Sequence, residues 1–350
     1  MKRLLLAALL AGNPQEPATL GIGSPAPDFD LPGTDGRRHA LKDFASSRLL
    51  LVLFNTNHCP TAQRYEERVK RICDDYRPRG LAVVVISPSD PQAVRLDELG
   101  YTDLDDSFES MKIRARDRSF NFPYLYDGDS QEASRAYGPT ATPHAFLFDA
   151  ARRLRYAGRI DDNEAEDRVK SPDLRNAIDA LLDGREVPVP STRAHGCSTK
   201  WSSKRESVRK HLEKLAAEPV ELEAAGADAL KALLQDPAPR LRLIHVWSAA
   251  SGDSVRQLAE FVLANRMYRR RKFELVLVSS DDPSRREEAL GILRKSGASN
   301  RNLLGGPAAR EALGPAPWTL LLAPGGQALY RKEGTVDPLE MRRAVVGNLK

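Results

Sequence analysis

Leu49 to Phe54 is an unbroken apolar run, with the length and uniformity of a central strand buried on both faces. Past Pro60 the period changes. Tyr65, Val69, Ile72 and Tyr76 recur at spacings of three and four, with Cys73 beside them, which predicts an amphipathic helix starting at Pro60. A later strand, Thr142 to Asp149, begins with Thr-Pro. The second half repeats the plan. Leu241 to Trp247 runs into a Ser/Ala/Gly turn over 248–254 and then a helix, and Phe273 to Val278 reads as another buried strand. Ala316-Pro317 opens a hydrophobic run, a turn and a short strand ending at Tyr330, in parallel with Thr142 to Tyr156. The order strand, helix, strand, helix, proline-strand, hairpin, helix therefore occurs twice, which predicts two similar α/β domains. At 350 residues the chain is long enough for each to bury its own core. The expected division is 23–185 and 206–350, joined by a Pro- and Ser-rich basic arm over 186–205, with a helix over Arg205 to Ala217.

Cys59 stands where strand becomes helix. Pro60 suits the first helical position, where a missing N–H leaves nothing unpaired. Cys59 thus falls at or near a helix N-cap, where backbone N–H groups and the positive end of the helix dipole favour a thiolate. The thiolate is the nucleophile, and Asn57 and His58 add polar neighbours. The alternative is a small buried hydrophobe, but strand end, proline and helix start together favour the reactive reading. Cys73, on the apolar stripe, reads as core.

The segment resembles the redoxin branch of the thioredoxin superfamily, the peroxiredoxins and thiol-disulfide oxidoreductases. Asp28-Phe-Asp-Leu-Pro-Gly-Thr-Asp-Gly36, with Leu41 and Phe44 after it, is similar to the entry of those domains, where an edge hairpin precedes the strand leading to the cysteine. The likeness covers about 23 to 161 and implies tandem thioredoxin-like domains, each a central mixed β-sheet flanked by helices. There are departures. Ala62 stands where C-x-x-C proteins carry the second thiol. Thr56 matches the threonine of the peroxiredoxin P-x-x-x-T-x-x-C motif, but Val52 replaces its proline, and Pro143 lies close to the position of its peroxide-activating arginine. Peroxiredoxin-like proteins with a C-N-H-C-P core are more similar, the core here being Thr56-Asn57-His58-Cys59-Pro60.

Those proteins close their domain with G-C-S-I-K-W, matched here by Gly196-Cys-Ser-Thr-Lys-Trp201. Cys197 follows a stretch from Glu186 whose prolines disfavour helix. It is a candidate resolving partner for Cys59 through thiol-disulfide exchange, with an unpaired surface thiol or a cysteine packed under Trp201 as alternatives. In the superfamily the proline opening the late strand is cis, and the residue before it presents backbone groups to a bound peptide or mixed disulfide. The resemblance therefore implies a cis Pro143, with Thr142, Pro143, Asn57 and His58 as substrate contacts and Cys59, Cys197 and Thr56 as the catalytic set. A trans Pro143 on an edge strand is the other reading. His144 is a lesser candidate for proton transfer.

The second copy resembles a W-A-T-W-C-G-P-C site, with Trp247 at the first tryptophan and Ser251 and Ser254 in place of both thiols. That predicts a redox-silent domain, which binds a partner or supports the first, and a fragment from about Arg205 onward that folds by itself. The net charge of +5, with both signs mixed along helix faces, reads as solvated surface more than as a nucleic-acid footprint, and no nucleic-acid partner is expected. The basic run Arg266 to Lys272 suits a helix C-terminus. Met1-Lys-Arg followed by Leu4 to Ala11 reads as a short secretory signal in a linker-bearing segment, 1–22, too short to span a bilayer. It places the chain outside the cytoplasm, in the periplasm of a bacterium, or in the cytoplasm if the segment is no signal. Neither a metal cluster nor a cofactor motif is expected. The expected partners are a thiol reductant such as a thioredoxin-like protein and a disulfide or hydroperoxide substrate. Three functions fit: thiol-disulfide oxidoreductase, peroxiredoxin-like peroxidase, and a non-catalytic binding protein for extended peptides.

Overall fold

The hairpin of β1 (Asp30–Pro32) and β2 (Arg38–Ala40) leads into β3 (Leu49–Phe54), every residue of which is buried. The computed structural model describes residues 16–349, so the expected signal segment lies largely outside the described residues. Next come α1 (Pro60–Tyr76), β4 (Leu81–Ser87), α2 (Phe108–Asp117), β5 (Tyr124–Tyr126), α3 (Glu132–Tyr137) and β6 (Ala141–Thr142). β7 (His144–Phe148), β8 (Leu154–Gly158), α4 (Asp173–Leu182) and β9 (Cys197–Ser198) follow. The second half holds α5 (Arg205–Ala216), β10 (Glu223–Ala224), α6 (Ala227–Gln235), β11 (Leu241–Trp247), α7 (Gly252–Tyr268) and β12 (Phe273–Ser279). It ends with α8 (Arg286–Ser296), β13 (Arg301–Leu304), α9 (Gly306–Leu313), β14 (Trp318–Leu322), β15 (Ala328–Glu333) and α10 (Pro338–Asn348).

The fold is mixed α/β, and the chain forms two compact units. One holds residues up to 56, 64–93 and 115–205; the other holds 57–63, 94–114 and the residues from 206 onward. In the first, a sheet of order β5-β4-β3-β7-β8 has β3, β4 and β5 parallel and β7 and β8 antiparallel. Alternation along the strands sends Leu50, Val52 and Phe54 to one face, with Val84, Ile86, Leu125, Phe146 and Phe148. Each such side chain, fully buried, contributes roughly 1.5–3 kcal/mol. Tyr65, Val69, Ile72, Cys73 and Tyr76 are all buried along α1, as their spacing requires.

In the second unit the order is β10-β13-β12-β11-β14-β15, with β11, β12 and β13 parallel and β14 and β15 antiparallel. Apart from β10 this is the order and direction of the first sheet. Leu243, Leu275 and Leu277 pack on one face, and Ile244, Val246, Val276 and Val278 on the other. The unit is discontinuous in sequence. Val94 and Leu99 belong to its apolar cluster, with Trp247, Phe261, Met267 and Tyr268. A fragment from Arg205 onward would lack both of these side chains. A 3₁₀ turn at Leu96–Leu99 and irregular backbone as far as Phe108 carry most of this segment, which is why no helical or strand period marked it. No helix among the described residues is long and apolar enough to cross a membrane.

Candidate active site

β3 ends at Phe54 and α1 begins at Pro60, so Cys59 occupies the position just ahead of the helix. The Ala62 N–H donates to Cys59 Sγ at 3.4 Å, which makes the sulfur the acceptor for a first-turn amide. Ala62 is the residue that replaces a second thiol, and here its backbone serves the first. The second unit repeats the geometry in oxygen: Ser251 precedes α7, and the Ser254 N–H donates to Ser251 Oγ at 3.3 Å. Neither serine can form a disulfide.

Asn57 and His58 are fixed by an aspartate that the sequence reading passed over. Asp106 is fully buried. Its Oδ1 accepts the Asn57 N–H at 2.9 Å and the His58 N–H at 3.1 Å, while Oδ2 pairs with His58 Nδ1. The Asn57 side-chain amide donates to Asp105 O at 2.7 Å, and Gln63 Nε2 donates to Asn57 O at 2.7 Å. Asn57 and His58, expected as substrate contacts, are thus 1% exposed and engaged within the protein. The only hint in sequence was an acidic pair, Asp105-Asp106, ahead of a helix.

Thr56 and Thr142 are joined through their hydroxyls at 3.0 Å. The Thr142–Pro143 peptide bond is cis, as is Ala316–Pro317 at the matching place in the second unit. β6 pairs antiparallel with β9, Thr142 lying opposite Cys197 and Ala141 opposite Ser198. Gly196 makes this approach feasible: at φ +139 a Cβ there would lie 2.0 Å from Thr142 O. Beyond the pair, Thr199 Oγ1 donates to Pro139 O at 2.7 Å, and the Asp90 N–H and Gln131 Nε2 donate to Lys200 O at 2.9 Å each. Trp201 is buried, with the Arg135 guanidinium 5.3 Å from its ring centroid. The arm is therefore docked, and Cys197, half-buried, is opposite the residue before Pro143. No disulfide links Cys59, Cys73 and Cys197 to one another. Burial pushes the Cys73 thiol up, against the Arg77 guanidinium 3.0 Å from its sulfur. A cavity of about 450 Å³ lined by Ile22, Asp149, Arg155 and Arg185 contains none of these residues, and no metal-holding group of His, Cys, Asp and Glu occurs among the described residues.

Residues 22–157 match the AhpC/TSA family. That part of the chain is of the redoxin branch of the thioredoxin superfamily. The AhpC/TSA segment takes in β3, the Cys59 turn, α1 and the Thr142–Pro143 junction, whereas the Cys197 arm lies beyond it. Thiol-disulfide oxidoreductase ResA of Geobacillus thermodenitrificans (strain NG80-2) is 27% identical over 150 residues, covering 42% of this chain and 76% of that protein. A hypothetical protein from Sinorhizobium meliloti 1021 is 36% identical, covering 53% of this chain and 97% of that one, with a TM-score of 0.47. A conserved protein from Geobacillus kaustophilus is 34% identical over 52% of this chain and 93% of its own, with a TM-score of 0.46.

His144 opens β7 of the AhpC/TSA segment, and burial lowers its pKa to about 4. Its Nδ1 accepts the Thr140 N–H at 3.3 Å, and its ring lies 4.5 Å from that of Phe146. His245, stacked on Phe261, is likewise lowered by burial, to about 3. Both imidazoles are neutral at neutral pH. In the unfolded chain each takes up a proton near pH 6.5, so their contribution is complete above that value and falls as the pH drops toward their native values. The loss for His144 is on the order of 3 kcal/mol when complete. Urea midpoints between about pH 7 and pH 4 are expected to show this decline, and His144→Leu to flatten it.

Proposed function

We propose that the chain is a thiol-dependent oxidoreductase in which Cys59 is the attacking thiolate and Cys197 its resolving partner. The observation that carries the reading is the Ala62 amide directed at Cys59 Sγ at the start of α1. Burial penalises an ionised sulfur; this hydrogen bond and the helix N-terminus act in the opposite direction. With a disulfide R–S–S–R′, the Cys59 thiolate would form Cys59–S–S–R as R′–S⁻ departs. Attack by the Cys197 thiolate on the Cys59 sulfur would then release R–S⁻ and leave a Cys59–Cys197 disulfide, which an external dithiol such as a thioredoxin-like protein would reduce. A hydroperoxide would instead give the Cys59 sulfenic acid and an alcohol, and condensation with Cys197 would release water. The peptide-binding alternative gains no support at Thr142, whose edge is already paired with Cys197 of the same chain. Export is part of the proposal and rests on the N-terminal segment alone.

Alkylation near neutral pH is expected to label Cys59 well before Cys73, whose thiol is pushed up by burial. Non-reducing peptide maps after mild oxidation are expected to show Cys59 joined to Cys197. Equal labelling rates would remove Cys59 from its role. A map holding only Cys59 derivatives, with Cys197 unmodified, would make this a one-cysteine enzyme.

A further inference from the structure

The unit built around the second sheet carries no cysteine except Cys59, whose turn it includes. We infer that the thiol-less C-terminal half positions the Cys59 turn through residues 94–114, with Tyr268 and Gly100 as the positioning residues. This deepens the proposed function and rests on Cys59 as the reactive thiol.

One end of 94–114 is gripped by the end of α7 and by α10. The buried Tyr268 hydroxyl donates to Thr102 O at 2.9 Å. Arg271 Nη1 donates to Gly100 O at 2.9 Å, and its guanidinium lies 4.1 Å from the Tyr101 ring centroid. Arg270 pairs with Asp97, and Arg343 Nε with Asp103 at 3.1 Å. Gly100 sits so close to α7 that a Cβ would lie 2.9 Å from Met267 O. The basic run 266–272 thus holds this segment.

The other end grips the thiol turn. Between Thr102 and Asp105 the chain is locked by Thr102 Oγ1, which donates to Leu104 O at 2.7 Å and accepts the Leu104 N–H at 3.1 Å. Asp105 O and the Asp106 carboxylate then take the Asn57 side chain and the Asn57 and His58 amides. Gln63, in the first turn of α1, donates to Tyr101 O at 3.4 Å as well as to Asn57 O. The links from Tyr268 to Thr102, from Thr102 to Leu104 and from Asp105 and Asp106 to the Cys59 turn are directional hydrogen bonds, and the anchor points on 94–114 are separated by a few residues. A displacement of Thr102 therefore reaches Asp106 with little slack.

Tyr268→Phe in the full chain removes one bond and keeps the ring; Gly100→Ala pushes the segment off α7. Val276→Ala, in the cluster on the opposite face of the second sheet, serves as a control for lost stability. Tyr268→Phe is expected to lower the hydrogen-exchange protection of the Asn57 and His58 amides by about tenfold and to shift the pH profile of Cys59 alkylation. Val276→Ala is expected to lower the urea midpoint without moving that profile. The exchange readout does not depend on redox chemistry, so an inert Cys59 would refute the proposed function while leaving this inference testable. Unchanged Asn57 and His58 protection in Tyr268→Phe, or equal changes in Val276→Ala, would overturn it.

Discussion

Asp106→Ala is expected to destabilise the protein by about 3 kcal/mol and to slow Cys59 alkylation by at least about tenfold. The carboxylate is the shared acceptor for the Asn57 and His58 amides and for the His58 ring. Without it, two buried amides lose their acceptor at once, and each unmet buried donor costs about 1–3 kcal/mol. The turn that delivers Cys59 then loses its definition. Asp106→Asn keeps one acceptor oxygen and is expected to fall between wild type and alanine in both respects. Urea denaturation and timed alkylation with mass detection check this, and wild-type rates in Asp106→Ala would mean that the Cys59 turn is held from elsewhere.

Gly196→Val is expected to free the arm. At φ +139 with Thr142 O in the place of a Cβ, no side chain fits without separating β9 from β6. Cys197 is expected to alkylate at least about tenfold faster, the cross-link to Cys59 to drop in proportion, and the stability to fall by about 1–3 kcal/mol. First-step reaction of Cys59 with a small disulfide, followed as a single turnover, separates loss of the resolving thiol from damage to the nucleophile. If Cys197 labels at the wild-type rate in Gly196→Val, the pairing of the arm with Thr142 is not what shelters it.

Features set by local pattern were legible in the sequence. Leu49 to Phe54 could hardly be anything but a buried strand, and the Tyr65, Val69, Ile72, Tyr76 stripe announced α1 because a helix repeats its face every three to four residues. The doubled order of elements was visible for the same reason. Asp106 was not, because its role arises from contacts 48 and 49 residues distant in sequence, and nothing in an acidic pair ahead of a helix distinguishes a buried acceptor from a solvated cap. Val94 and Leu99 were equally silent, since a bend and a four-residue 3₁₀ turn leave too short a trace to show a period. The sequence placed Cys197 on an open arm; the docking of 199–201 against Pro139, Gln131 and Asp90 depends on backbone carbonyls and amides, which residue identity does not advertise.

The discontinuity of the second unit bears on how the chain is made. Residues 94–114 leave the ribosome long before 241–304, the stretch that supplies most of their partners. At about 5–20 residues per second the delay is on the order of ten seconds or more. During that interval Val94 and Leu99 have no core to enter, and the turn carrying Cys59 lacks the framework that later confines it. The first sheet can assemble from what has already emerged, but its thiol turn has to wait for the last third of the chain. Nascent protein would thus pass through a stage in which the proposed nucleophile is the least sheltered, and completion of synthesis, rather than closure of the first sheet, would end that exposure.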